Sequence, residues 1–430
     1  MLLRFSASNF LSLRDECELS FVAAPLKEMA DSTVPSRFAK HGILAVAALF
    51  GANASGKSNI LFALRFMRGM ILSSFSEREG TQGLTAKPFL LDEESRNKPT
   101  RFSVDFVCDD IRYQFGFSFN AERVLEEWLF AFPNMVQQTL YSREFVDGAE
   151  VFKFGRSLTG SNRQIQSITR SNSLFLSAAA KSNHSVLEPI YRYFRRQISF
   201  VDTTTLSSPL SIAETLHGEE NLTRQVVEQL RSADTGIVDL TIDEYQMPEQ
   251  AKAAMEAIFK AFAETSESSA GLEPPELNRT IRLGHLGDDG KVQHLDFNDE
   301  SLGTKYLLTL LPPMLKILER GGSLVLDEIT TGLHTLLAKK LVQTFMDRKL
   351  NPKGAQLIFS THDTNLLTGV MRRDSIWFAE KSRGGATSIY PLLDVKTKNT
   401  DNIERGYIQG RFGAIPFLPD IEVNVGLNKK

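Results

Sequence analysis

The chain has 430 residues, of which 42% are hydrophobic and 23% charged, the balance of an ordinary globular protein with room for one large domain or two to three smaller ones. Its 49 basic and 52 acidic residues leave a formal net charge of -3, which excludes a general electrostatic attraction to nucleic acid or anionic lipid. The longest apolar run, Ile43 to Phe50, falls far short of the ~20 residues that span a bilayer, and no signal-peptide pattern opens the chain. Two cysteines, Cys17 and Cys108, lack ligand spacing and read as reduced thiols of a cytoplasmic protein with no membrane partner.

Residues 1 to 24 alternate as strands do, and Pro25 to His41 is polar and loop-like. The run Ile43–Phe50 fits a strand buried on both faces, followed by a glycine-containing turn and a helix from Ser58 to about Ser74. Residues 101 to 119 predict a hairpin turning at Cys108-Asp109-Asp110, with further short strands to Phe154, together an antiparallel lobe. From 172 to 266 the pattern turns helical, over Ser173–Ala180, Val186–Gln197, Leu222–Ala233 and Glu249–Ala263, and Thr265–Pro275 reads as a linker. Strands return after Thr280, with a hairpin around Gly287–Gly290 and two short apolar strands, Ser323–Leu326 and Gln356–Phe359. The expected division is 1–171 and 276–430 as two halves of one α/β unit, with 172–275 a helical insertion.

Four clusters carry chemistry. Gly51-Ala52-Asn53-Ala54-Ser55-Gly56-Lys57-Ser58 matches the GxxxxGK[ST] phosphate loop between a buried strand and a helix. Its glycines let backbone N–H groups turn toward phosphate oxygens, and the helix beginning near Gly56 adds its positive end. Lys57 is placed to reach the β- and γ-phosphates of ATP and Ser58 to ligate Mg²⁺, with Asn59 completing the nucleotide-binding set. Leu324-Val325-Leu326-Asp327-Glu328 delivers two adjacent carboxylates, Asp327 for the metal and Glu328 for the attacking water. Ser360-Thr361-His362-Asp363 sets a histidine beyond another buried strand, within reach of a γ-phosphate. Glu300-Ser301-Leu302-Gly303-Thr304-Lys305 precedes a helix; Ser301 or Thr304 caps it, or Ser301 and Gly303 form a second phosphate clamp that closes over the nucleotide of a partner subunit. Tyr191-Arg192-Tyr193-Phe194-Arg195-Arg196 fits either base stacking or an aromatic core face beside a solvated basic one.

Together these stretches resemble the ABC/SMC-like ATPase heads of RecF-, OLD- and SMC-type proteins, and most of all the RloA/AbiLi-type AAA ATPases of bacterial antiphage and restriction loci. The likeness extends to Phe5–Ser12, to Arg372-Arg373-Asp374-Ser375-Ile376-Trp377-Phe378 and to Gly406–Pro416. It implies a P-loop NTPase of ABC-ATPase-like type, a mixed sheet with an antiparallel β lobe, and a head split by an insertion. It further implies ATP-dependent self-association into dimers or oligomers of dimers, a role in defence, and a separately encoded nuclease-like or toxin effector. A nucleic acid or phage product would be the trigger. The chain departs from the pattern after Glu328, where Ile329-Thr330-Thr331-Gly332-Leu333-His334 lacks the usual acidic residue and serine, and Gln82 is only a weak match for a Mg²⁺-sensing glutamine. A transporter ATPase is disfavoured by the absence of a Leu-Ser-Gly-Gly-Gln signature; a nucleotide-dependent scaffold that sequesters a toxin is the other alternative.

Overall fold

The chain opens with β1 (Leu2–Ser8) and β2 (Cys17–Ser20), an antiparallel pair, and a small hairpin, β3 (Val34–Ser36) with β4 (Ala39–Ile43), follows inside the stretch expected to be loop. The apolar run therefore divides: Ile43 ends β4, and only Val46–Phe50 forms the buried strand β5. β6 (Thr100–Cys108) and β7 (Ile111–Phe119) make the expected hairpin; Asp109 and Asp110 have φ of 47° and 57°, the left-handed pair whose twist suits a two-residue hairpin turn. β8 (Val124–Phe132), β9 (Gln138–Val146) and β10 (Ala149–Phe154) extend them into a seven-stranded sheet ordered β10-β9-β8-β7-β6-β1-β2, antiparallel throughout. This computed structural model describes residues 1–76, 83–201, 208–246, 253, 277–398 and 401–415. Gln82, the linker Thr265–Pro275, the expected helix Glu249–Ala263 except Ala253, and the residues from Pro416 onward lie outside them.

Residues 172 to 246 are not uniformly helical. Helices Phe175–Lys181 and Glu188–Arg196 lead into a strand, β11 (Ile198–Val201), and helices Pro209–Leu216 and Glu220–Ser232 lead into another, β12 (Ile237–Gln246). β12 joins β13 (Leu277–Leu286) and β14 (Val292–Asp296) in a separate three-stranded antiparallel sheet. β11 instead enters the central sheet. With β15 (Ser323–Leu326), β16 (Gln356–Thr361), β17 (Ile376–Lys381) and β18 (Thr387–Pro391), that sheet runs β11-β15-β16-β5-β17-β18, parallel except for its last strand.

Alternation along β5 explains why its residues are all apolar. Ala47 and Leu49 face one core, shared with the antiparallel sheet and the helix Lys57–Ser73; Val46, Ala48 and Phe50 face a second core, shared with the helices Leu302–Arg320 and Thr335–Met346. A parallel strand covered on both sides has no solvent face on which a polar residue would be neutral. Much of the phenylalanine excess sits in the first core, where Phe10, Phe62, Phe66, Phe102, Phe117 and Phe119 pack ring on ring, each burial worth about 1.5–3 kcal/mol.

Polar residues lock the layers. Buried Gln356 accepts from Leu2 N–H (2.7 Å) and donates to the carbonyls of Leu2 (2.9 Å) and Leu44 (3.2 Å), stitching the start of the chain to β16. Buried Arg372 forks onto Asp374 and also donates to the carbonyls of Ala24 and Glu28, while Asp374 accepts the Ala24 N–H (2.8 Å). The Arg-Arg-Asp-Ser stretch thus fastens the segment after β2. Among the described residues no helix is long and apolar enough to cross a membrane.

Candidate functional site

Strands β15, β16 and β5 lie side by side and parallel, so whatever follows each one emerges at the same edge. Asp327-Glu328 follow β15, His362 follows β16, and Gly51 begins the glycine loop after β5. Three motifs whose outermost members, Gly51 and His362, stand 311 positions apart in the sequence meet because their strands are neighbours.

The loop is built for close approach. Gly56 has φ +101°, and a Cβ there would stand 2.1 Å from Thr387 Oγ1, so no side chain fits. Ala54 holds the left-handed region at φ 60°, at a cost of about 1–2 kcal/mol. Asn53 and Ala54 are exposed at the tip, whereas the Ser55 hydroxyl is buried and finds no hydrogen-bond partner among the described residues. Lys57 Nζ is buried and donates to the carbonyls of Gly51 (2.8 Å) and Ala52 (3.0 Å). Burial lowers its pKa, opposed by the charges of Glu328 and Asp327. A cation resting on neutral carbonyls, beside an unpartnered hydroxyl at a helix N-terminus, fits a phosphate chain that would take both.

Ser58 Oγ donates to Asp327 Oδ1 (3.0 Å), so the loop's hydroxyl and the strand's carboxylate form one oxygen pair suited to a hard divalent cation such as Mg²⁺. Ser360 donates to that same oxygen and accepts the Glu328 N–H (2.7 Å). Glu328 stands at φ 59°, an uncommon backbone for a side chain, and the Ser360 bond helps to hold it there. Its Oε1 accepts from Thr330 Oγ1 (3.1 Å) and lies 3.1 Å from His362 Nδ1. The His362 ring is exposed and Glu328 half-buried, so both reach the mouth of the site. Asp363, next in line, accepts from Thr335 Oγ1 (2.6 Å) and Asn365; burial works to raise its pKa, but these bonds and His362 outweigh it and hold the carboxyl low.

Three further residues of the expected nucleotide-binding set, Asn59, Ser301 and Gly303, make other contacts within the chain. Asn59 donates its amide N–H to Ser12 Oγ (2.6 Å), which in turn donates to Thr387 Oγ1 (2.8 Å), and Thr387 donates to the Ser55 carbonyl (2.8 Å). Asn59 therefore braces the loop from behind. Ser301 and Gly303 open the helix Leu302–Arg320, and among the described residues no hydrogen bond or ion pair ties either to the glycine loop. Ser301 Oγ accepts the Thr304 N–H (3.1 Å), which is the capping geometry, and a Cβ on Gly303 would meet the Gly332 carbonyl at 3.1 Å. Ser301 and Leu302 are exposed, Leu302 at 71%.

Sequence reasoning gave Ser360, Thr330, Ser12 and Thr387 no individual role; Ser360, Thr330 and Ser12 lay inside stretches singled out for other reasons, and Thr387 had no signal. In the Tyr191–Arg196 stretch, Tyr191, Tyr193 and Phe194 are buried, Tyr193 stacking on Phe106 at 4.6 Å, and Arg192 pairs with Glu188. The aromatics are core and stack no bases.

Comparison with known proteins gives a family match over residues 46–368, about three-quarters of the chain, to the family described as "AAA domain, putative AbiEii toxin, Type IV TA system". No curated protein matches the chain. Among solved structures it is similar to an Smc head bound to the C-winged helix domain of ScpA, with TM-score 0.44 and 14% identity over 90% of this chain and 96% of that one. The SMC head domain from Thermotoga maritima gives 0.38 and 13% over 91% and 98%. An Smc head with an extended coiled coil, bound to the C-terminal domain of ScpA derived from Pyrococcus furiosus, gives 0.40 and 15% over 91% and 97%.

Proposed function

Because the chain belongs to this AAA family, we propose that it binds ATP with Mg²⁺ and hydrolyses it at the edge formed by β5, β15 and β16. The observation that carries this is the convergence of Lys57, Ser58, Asp327, Glu328 and His362 at the ends of three adjacent strands. Lys57 leaves its two carbonyls for the β- and γ-phosphates, and the backbone of Gly51, Asn53, Ala54, Ser55 and Gly56 cradles them. Ser58 and Asp327 would hold Mg²⁺, which would neutralise phosphate charge. Glu328 takes a proton from water as its oxygen bonds to the γ-phosphorus and the bond to the β-γ bridging oxygen breaks; His362 orients the phosphate and Glu328.

The exposed Ser301 and Leu302, with half-buried Gly303 beside them, support a shared site, in which two heads close and each offers this helix start to the other's nucleotide. We assign the protein a cytoplasmic role as an ATP-gated regulator in antiphage defence, working with a separate nuclease-like or toxin effector and answering to a nucleic acid or phage product. The family description, which names a putative AbiEii toxin and a Type IV TA system, supports a place for this chain in such a system; a scaffold that sequesters a toxin is the second reading. The threefold division 1–171, 172–275 and 276–430 remains our proposal; β11, inside its middle segment, pairs with β15 of the last.

The test is a pair of variants. Lys57→Ala abolishes nucleotide binding, whereas Glu328→Gln retains it and loses turnover by about 100-fold or more. Normal turnover in Glu328→Gln removes the residue from catalysis. Mixing Lys57→Ala with Ser301→Arg subunits restores at most one intact composite site per dimer, and unchanged turnover and assembly in Ser301→Arg sinks the shared site.

A further inference from the structure

The stretch Gly406–Ala414 lies outside residues 46–368, which the family model matches, and carries none of the groups assigned to ATP chemistry. It folds into a tight knuckle against the P-loop. The helix Ile403–Ile408 ends in reverse turns, with Arg411 N–H bonded to the Gly406 carbonyl (3.0 Å) and Gly410 N–H to that of Tyr407 (2.8 Å). Gly413 has φ +69°, and a Cβ there would stand 2.6 Å from the Tyr390 hydroxyl, which itself donates to the Phe412 carbonyl (2.8 Å). The next residue, Ala414, is held left-handed at φ 56°.

What this construction presents to the P-loop is one carbonyl. Ala414 O accepts the Ala52 N–H at 2.9 Å, and the same oxygen accepts from the buried Tyr407 hydroxyl at 2.9 Å. The Tyr407 ring is fixed independently, stacked on Phe378 at 5.4 Å and edge-on to Phe50, the last residue of β5, at 6.5 Å. The other side of the same residue, the Ala52 carbonyl, accepts from Lys57 Nζ and from the Ser55 N–H. Once Lys57 turns to a phosphate, Ala52 keeps the Ser55 bond within the loop, and its anchor to the rest of the fold is Ala414.

We infer that Tyr407 is a positioning residue for nucleotide binding: its hydroxyl fixes the Ala414 carbonyl, which sets the conformation of the P-loop at Ala52. The inference rests on the ATP-binding reading for its consequence, but its geometry is independent of it. In this arrangement the C-terminal knuckle tunes affinity and leaves the chemical step, which belongs to Asp327 and Glu328, untouched.

Tyr407→Phe removes the hydroxyl and keeps the ring in its stack. In the full-length, nucleotide-free protein, amide hydrogen exchange in the peptide covering Ala52 becomes faster, by about tenfold for one lost buried hydrogen bond. The Kd for MgATP rises about three- to tenfold while kcat at saturation stays within twofold. Unchanged exchange at Ala52 with unchanged Kd overturns the inference, and so does a fall in kcat at constant Kd, which marks a merely structural residue. If the wild-type protein fails to bind MgATP, the ATP-binding reading fails, and the exchange measurement still decides whether Tyr407 holds the loop. Should Tyr407→Phe not fold, Tyr390→Phe releases the Phe412 carbonyl instead; it produces the same two changes at smaller size, and their absence overturns the inference.

Discussion

The Ser360 hydroxyl donates to Asp327 at the oxygen that Ser58 also reaches, and it simultaneously accepts the backbone N–H of Glu328. One small side chain on β16 thereby sets the direction of both carboxylates that follow β15. Ser360→Ala leaves the Glu328 N–H without its acceptor and Asp327 with one fewer donor. Turnover falls about 10- to 100-fold, the range typical of groups that orient a metal's ligands, and the Mg²⁺ concentration for half-maximal rate rises. A Mg²⁺ titration of ATPase activity measures it; an unchanged midpoint removes Ser360 from metal positioning.

Lys57 gives a pH prediction. Its pKa is lowered below the ordinary lysine value near 10.4, chiefly by burial. The protonated form binds phosphate, so affinity is full below the lowered pKa and declines as pH rises through it, beginning earlier than a free lysine would. Measuring the MgATP Kd between pH 7 and 10 tests this, with Lys57→Arg as the control whose profile stays flat. A wild-type profile flat to pH 10 contradicts the lowered pKa.

Thr330 donates to the Glu328 carboxylate and lies 3.3 Å from the Thr361 hydroxyl. Thr330→Val keeps the shape and loses the donor; kcat drops about tenfold with KM unchanged, and Thr330→Ser restores it. Equal rates in Thr330→Val and wild type exclude this orienting role.

Stability has a separate centre. Glu127 and Arg143 are both fully buried: Glu127 accepts the N–H groups of Phe175 (2.7 Å) and Leu176 (3.0 Å) and the Tyr141 hydroxyl, while Arg143 donates to the Ser173 carbonyl and to Glu150. Arg143→Ala strands a buried carboxylate and destabilises the fold by about 3–5 kcal/mol, read from denaturant midpoints. The double change Glu127→Gln with Arg143→Met recovers part of that loss. MgATP affinity of whatever fraction stays folded is that of wild type.

The candidate site residues were legible because each motif packs its chemistry into four to eight consecutive positions, and the buried strands before them are largely apolar on both faces. What holds those residues in place was not legible. Ser360 meets Asp327, Thr387 meets Ser55, and Ala414 meets Ala52 across 33, 332 and 362 positions, with no local pattern to announce any of them. β11 failed for a related reason. Its four residues follow directly on a helix ending in two arginines, and what makes them a strand is β15, synthesised over a hundred residues later. Ile43 showed the reverse error, since an unbroken apolar run conceals the point at which one strand ends and another begins.

The strand order carries a consequence for how the chain is made. β5 lies between β16 and β17, neither of which exists until the ribosome has passed residue 356. At ordinary elongation rates the P-loop strand emerges roughly 15 to 60 s before its neighbours. During that interval the antiparallel sheet, whose strands all come from the first 154 residues, can pair completely, while β5 waits as an apolar segment with two open edges. A nascent chain halted near residue 300 would hold a finished antiparallel sheet and no ATP site, so nucleotide competence waits for the strands made after residue 356.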